Sequence, residues 1–170
     1  MKLSSSFWLT LLAALFFISC KAELKLLEAT KQAFAGGAPG SSPGYHYAVK
    51  VQKPKGIALT LDGVWIGNRE TGKLFSGQIA PDGGMVAVTN GEVYADIEKF
   101  TVRFTERFAG EGNPRNQDSE GRPANPAESE APKWLPADFK SGCILKFSAK
   151  GKNTFVKVPD WKELPKMYLP

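Results

Sequence analysis

The sequence predicts an all-β domain: an antiparallel, immunoglobulin-like sandwich of about seven strands, preceded by a signal peptide and a short helix and linker. Three observations lead there. From Tyr45 onward, apolar and polar residues alternate in short runs, the period of strands with one buried face. Turn residues punctuate those runs, as in Pro81-Asp82-Gly83-Gly84 and Asn90-Gly91. Helical spacing is confined to one stretch ahead of them. Many short antiparallel strands close their cores as sandwiches or barrels, and a small closed barrel is the alternative. The Cys…Trp…Cys spacing of true immunoglobulin domains is absent, so the architecture is implied and a family is not.

Residues 1–19 read as a signal peptide. Met1 and Lys2 precede a polar spacer and an apolar run from Phe7 to Ile18, broken only by Thr10. A positive start, a 7–15-residue apolar stretch and a small residue form a secretory signal. A transmembrane helix needs about 20 apolar residues, and this run is followed at once by Cys20, Lys21 and Glu23. Phe17-Ile18-Ser19-Cys20 resembles the bacterial lipobox, with Phe17 and Ile18 bulkier than the common form. That resemblance implies cleavage before Cys20 and a diacylglycerol on its thiol. An ordinary signal peptide cut nearby, leaving Cys20 a simple thiol, is the alternative.

The chain has 170 residues and a formal charge of +5. Without the leader and its Lys2, 21 basic residues face 17 acidic ones. The remaining chain, about 150 residues, suffices for one cored domain. The charge is mild and scattered, with no basic stripe interleaved with aromatics, so no nucleic-acid partner is expected. Lipidation of Cys20 would leave Cys143 unpaired. Its alternation with Leu145 and Phe147 points it inward as a small, inert hydrophobe.

Residues 20–44 read as a lipidated tether: a short helix over 21–34 with Leu24, Leu27 and Phe34 on one side, then a Gly/Ser/Pro-rich linker. As a coil, that linker spans about 17 Å. The sandwich is expected over 45–170. Its first strand carries Tyr45, Tyr47, Val49 and Val51 on one face and His46, Lys50 and Gln52 on the other. In the second, Ile57, Leu59, Leu61 and Trp65 share a face, with a bulge or bend at Asp62-Gly63. A third covers Leu74 to Ile79. Met85 to Thr89 and Glu92 to Ile97 flank Asn90-Gly91, a strong hairpin signal because a type I′ turn needs positive φ at both central residues.

Phe100 to Phe108 is the clearest strand: Phe100, Val102, Phe104 and Phe108 alternate with Thr101, Arg103, Thr105 and Arg107. Residues 110–133 hold no aromatic or β-branched residue. They bury too little apolar area to offset their ordering entropy, and they read as a mobile insertion. Cys143 to Ala149 and Thr154 to Val158 are the last strands, joined by Gly151-Lys152-Asn153. An irregular tail follows, pinned to the sheet by Trp161, Leu164, Met167 and Tyr168.

Chemistry is sparse. The one histidine, His46, lies on a polar strand face, so zinc-site spacing and a Ser-His-Asp triad lack support. No P-loop, dinucleotide fingerprint or calcium loop occurs, and no cofactor, metal or catalytic residue is expected. Trp134 and Trp161 flank loops and are the candidate ligand-contact aromatics, for a sugar or a protein partner; plugging the sandwich ends is their structural alternative. Paired carboxylates for polysaccharide hydrolysis are the enzymatic alternative.

The lipobox, Leu24-Lys25-Leu26-Leu27, Gln32-Ala33-Phe34-Ala35-Gly36-Gly37, Trp65-Ile66-Gly67, Gly151-Lys152, Lys157 and Leu164-Pro165 together resemble the uncharacterised small lipoproteins of Bacteroidota. The resemblance implies an envelope location, lipid-anchored and facing the periplasm or the surface at the outer membrane, and transfers no activity. The expected protein is therefore a membrane-anchored envelope lipoprotein, a structural or binding module, touching the membrane through its lipid.

Overall fold

The structure is a computed structural model and describes residues 23–35, 42–82, 91–108 and 130–168. The leader, Cys20, the body of the expected linker, the Met85–Thr89 run and nearly all of the 110–133 insertion lie outside the described residues.

Among the described residues, ten strands form two sheets. They are β1 (Lys25–Ala35), β2 (Gly44–Gln52), β3 (Leu59–Asn68), β4 (Lys73–Phe75), β5 (Gln78–Pro81), β6 (Glu92–Val93), β7 (Lys99–Arg107), β8 (Ser141–Ala149), β9 (Lys152–Val158) and β10 (Lys162–Tyr168). Sheet A runs β10-β1-β2-β7-β5, and sheet B runs β4-β3-β8-β9 with β6 also paired to β3. All pairings are antiparallel except β1 with β10. No α-helix occurs among the described residues. The sheets pack as a sandwich. Val49, Val51, Phe100 and Val102 of sheet A meet Leu59, Val64, Leu145 and Phe147 of sheet B in one buried cluster. Phe100 and Phe147 touch across the interface, ring centroids 5.8 Å apart.

The first correction concerns residues 21–34, expected to be helical. Lys25–Ala35 is a strand, paired to β2 on one side and β10 on the other. A one-residue irregularity between Leu26 and Glu28 breaks the alternation. Leu24 and Leu26 face the core before it and Ala29 after it, while Leu27 stays 43% exposed. That break disguises a strand as a helical spacing, and pairing on both edges overrides the local preference. The segment is part of the domain, which therefore begins by Lys25 and not at residue 45.

The second correction concerns the tail. Lys162–Tyr168 is an edge strand whose side chains are mostly exposed. Backbone pairing orders it, so period-two burial gives no signal. Pro165 sits where the register shifts between Leu164 and Met167, a location edge strands tolerate. Tyr168 is well exposed and does not pin the segment, whereas Trp161 packs on the core.

The run from Leu74 to Ile79 divides. β4 belongs to sheet B and β5 to sheet A, and the chain crosses between them at Ser76-Gly77. A Cβ on Gly77 would meet Leu61 Cδ2 at 2.7 Å and Val102 Cγ1 at 2.8 Å, so any larger residue must push those two core side chains aside. Of Glu92 to Ile97, only Glu92–Val93 is strand. The bulge at Asp62 does form, between Leu61 and Gly63. Its consequence is that Trp65 turns away from Leu59 and joins Leu135, Phe139 and Ile144 on the outer face of sheet B. Lys150 and Gly151 both have positive φ, 48° and 76°, and close the β8–β9 hairpin.

Phe104 lies in the core and stacks on Tyr47 at 4.9 Å. Phe104→Ala should lower stability by about 3–5 kcal/mol, read as a shifted denaturation midpoint. Gly44 lies under the Phe34 ring, and a Cβ there would run into the Glu106 carbonyl oxygen. Gly44→Ala should therefore destabilise even though its Cβ is the only added carbon.

Candidate functional site

At one end of the sandwich the aromatics of sheet A converge. Tyr47 stacks on Phe104 and touches Trp161, ring centroids 4.9 Å apart in each case. Tyr45 meets Phe108 edge-on at 5.3 Å, and Lys31 lies 3.9 Å over the Tyr45 ring. Phe75 of sheet B leans on Phe104 at 5.6 Å. Alternation dictates this set: the inward positions of β2 and β7 carry Tyr45, Tyr47, Phe104 and then Glu106.

Glu106 is the residue the sequence reading passed over, although it stands between Phe104 and Phe108 on the apolar side of the clearest strand. An inward-facing charge there was the available signal. Its Oε2 accepts the Tyr47 hydroxyl at 3.0 Å, and its Oε1 accepts Lys73 Nζ at 3.1 Å. Lys73 belongs to sheet B and Glu106 to sheet A, so this pair ties the sheets across their rim. Both side chains are largely covered, at 29% and 16% exposure. Burial first, and then the Glu106 charge, holds the Tyr47 phenol well above its ordinary range. Tyr47 is a fixed neutral donor, and both Glu106 oxygens are engaged.

The two candidate tryptophans are not brought together. Trp161 packs in the inter-sheet core beside Tyr47 and Phe104. Trp134 lies in the cluster on the opposite face of sheet B, stacked over Phe155 at 6.2 Å. Residues 131–140 cover that face. Arg69 fastens them by donating to Leu135 O at 2.9 Å and Pro136 O at 2.6 Å, and Lys157 reaches Asp138 at 3.1 Å. Both tryptophans are half-buried.

His46 accepts from or donates to Thr105 Oγ1 at 2.9 Å and stacks on Phe34 at 4.3 Å. Cys143 is buried, and burial alone raises its thiol far above the ordinary value. A thiol that resists ionisation is a poor nucleophile. Among the described residues, no group of three or more His, Cys, Asp or Glu side chains could hold a metal ion.

The outer face of sheet A is differently built. Its register places Lys25, Gln52 and Lys99 in one row, Glu28, Lys50 and Thr101 in the next, then Lys162, Thr30, Ala48 and Arg103. Arg107 ends β7 on the same side. Glu28 pairs with Lys162 at 3.2 Å, and Asp82 with Lys50 at 2.9 Å. Lys25, Lys99, Arg103 and Arg107 form no ion pair among the described residues. Small residues, Thr30, Ala48, Ala80 and Thr101, floor the middle of this face. The scattered charge of the sequence thus becomes a cationic surface, because alternation sends every second residue of three adjacent strands to one side.

Comparison with family models, with curated proteins and with solved structures finds no match to this chain. The residues and their geometry therefore carry the functional argument.

Glu106→Ala strands Lys73 and the Tyr47 hydroxyl and should cost about 1–3 kcal/mol, measured by chemical denaturation. Tyr47 in the unfolded chain titrates near 10, whereas the folded chain keeps the proton to higher pH. Above pH 10 the folded state binds more protons than the unfolded state, so stability falls as pH rises. Tyr47→Phe should flatten that alkaline loss, which thermal melts across the range would read.

Proposed function

We propose that this chain is a lipid-anchored lipoprotein of the bacterial envelope, held at the outer membrane through Cys20, and that its sandwich is a binding module. The cationic outer face of sheet A is its contact surface, and an anionic envelope glycan is the partner it fits. That face is the observation that carries the binding role: at least four cations without a described partner share one flat surface, floored by small residues. Opposed charges on a sheet face steer association and set specificity. The lipid anchor is supported by the short apolar run that ends at Ser19-Cys20. Several acyl chains, at ~0.8 kcal/mol per buried CH₂, hold a protein firmly.

In this reading six of the described carboxylates serve the fold: Asp62, Asp82, Glu98, Glu106, Asp138 and Glu28 each face a lysine within 3.2 Å. A polysaccharide hydrolase needs one carboxylic acid and one free carboxylate across the scissile bond, a demand these pairs do not serve.

A palmitate analogue should label the protein in growing cells, and Cys20→Ala should abolish the label. Continued labelling would refute the anchor. On a column of immobilised heparin, as a polyanionic glycan, Arg103→Glu with Arg107→Glu, away from the end where β1 begins, should elute at clearly lower salt than the parent chain. Unchanged elution would refute the cationic face as the contact surface.

A further inference from the structure

We infer that the end of the sandwich where β1 begins lies against the lipid headgroup layer, with Tyr94 and Leu27 seated in the interface. This rests on the proposed acylation of Cys20. Leu24 is already part of the core, so only Lys21, Ala22 and Glu23 separate it from Cys20. Four extended steps reach about 14 Å. A domain held that closely cannot stand off the bilayer, and the end that carries Leu24 is the end it must present.

Register and connections show what lies at that end. Gln52 lies beside Lys25, and Lys99 beside Gln52. The 53–58 connection leads from there to Leu59, which pairs with Val93. Tyr94 follows at once and is 57% exposed. Its turn is pinned rather than loose. Ile97 N donates to Tyr94 O at 3.2 Å, Gly56 N to Ala95 O at 3.0 Å, and Lys53 N to Glu98 O at 2.9 Å. Lys53 itself is buried, 2% exposed, and its Nζ donates to Ala95 O at 3.1 Å. A buried lysine spent on one carbonyl fixes the loop that displays Tyr94. The β8–β9 turn, with Lys150 and Lys152, lies at the same end because Ser148 pairs with Thr60.

The chemistry of this end suits a headgroup layer. Tyrosine places an apolar ring and a polar hydroxyl across the boundary between acyl chains and water. Lysines snorkel, with their stems along apolar surface and ammonium groups among phosphates. Lys25, Lys55, Lys99, Lys150 and Lys152 outnumber Glu23, Glu92, Asp96 and Glu98 at this end. The electrostatic attraction is modest, and the tether supplies the local concentration that makes weak contacts count.

The test uses the full chain, exported, acylated and reconstituted in vesicles of phosphatidylethanolamine and phosphatidylglycerol. Tyr94→Cys and Glu70→Cys each receive an environment-sensitive dye; Cys143 is buried and does not compete. Glu70 lies in the β3–β4 turn, at the far end of β3 from Leu59. Lipids spin-labelled just below the headgroup should quench the dye at position 94 several-fold more than at position 70. Equal quenching, or stronger quenching at 70, on a chain whose mass shows acylated Cys20 overturns the inference and leaves the anchor standing. A mass without acyl groups overturns both, so the two failures are distinguishable.

Discussion

The double pairing of β1 is the interaction on which the rest of this structure depends. With β2 on one side and β10 on the other, β1 is an interior strand of sheet A, and its backbone groups are satisfied along both edges. Without it, β10 would have no partner, and the polypeptide after Trp161 would have no reason to be ordered. Leu24, Leu26 and Ala29 would leave the core open at one corner. The parallel β1–β10 pair also joins the two ends of the domain, so the last strand is held by the first.

That pairing also decides where the domain begins. Lys25–Ala35 is a strand of the sandwich, and Leu24 just ahead of it is already buried. Under the proposed acylation of Cys20, the end that carries Leu24 is therefore the end nearest the anchor. The opposite rim is closed internally instead. Glu106 ties the sheets through Lys73 and holds the Tyr47 hydroxyl, so the converging rings behave as core with a polar clasp. Buried ion pairs of this kind contribute little net stability over an apolar pair, yet removing one partner is costly. Their value here is in fixing the register of one sheet over the other.

The two outer faces complete the division of labour. Sheet B is covered by residues 131–140, with Trp65, Leu135, Phe139 and Ile144 beneath them. Trp134, singled out in the sequence for sugar contact, serves that cover. Among the described residues nothing is packed over the outer face of sheet A, where Lys25, Lys99, Arg103 and Arg107 stand without an ion pair.

By itself, the sequence determined the class of the fold and the strands with unbroken alternation. β2, β7, β8 and β9 were legible because period two needs no long-range information: each inward side chain declares itself through its neighbours at i ± 2. The inward Cys143 and the bulge at Asp62-Gly63 were legible for the same reason. The tertiary structure alone decided the rest. β1 and β10 are strands because of the partners they find, and the pairing between the two joins segments far apart in sequence. Trp65 faces outward because one bulged residue reverses the parity of everything after it. Gly77 marks a crossing between sheets only once Leu61 and Val102 close on it from either side. Glu106, Tyr47 and Lys73 form a network only when the two sheets stack. The cationic face exists only when β1, β2 and β7 lie in register. Alternation is a local property, whereas pairing, stacking and charge clustering belong to residues that meet only in the folded chain.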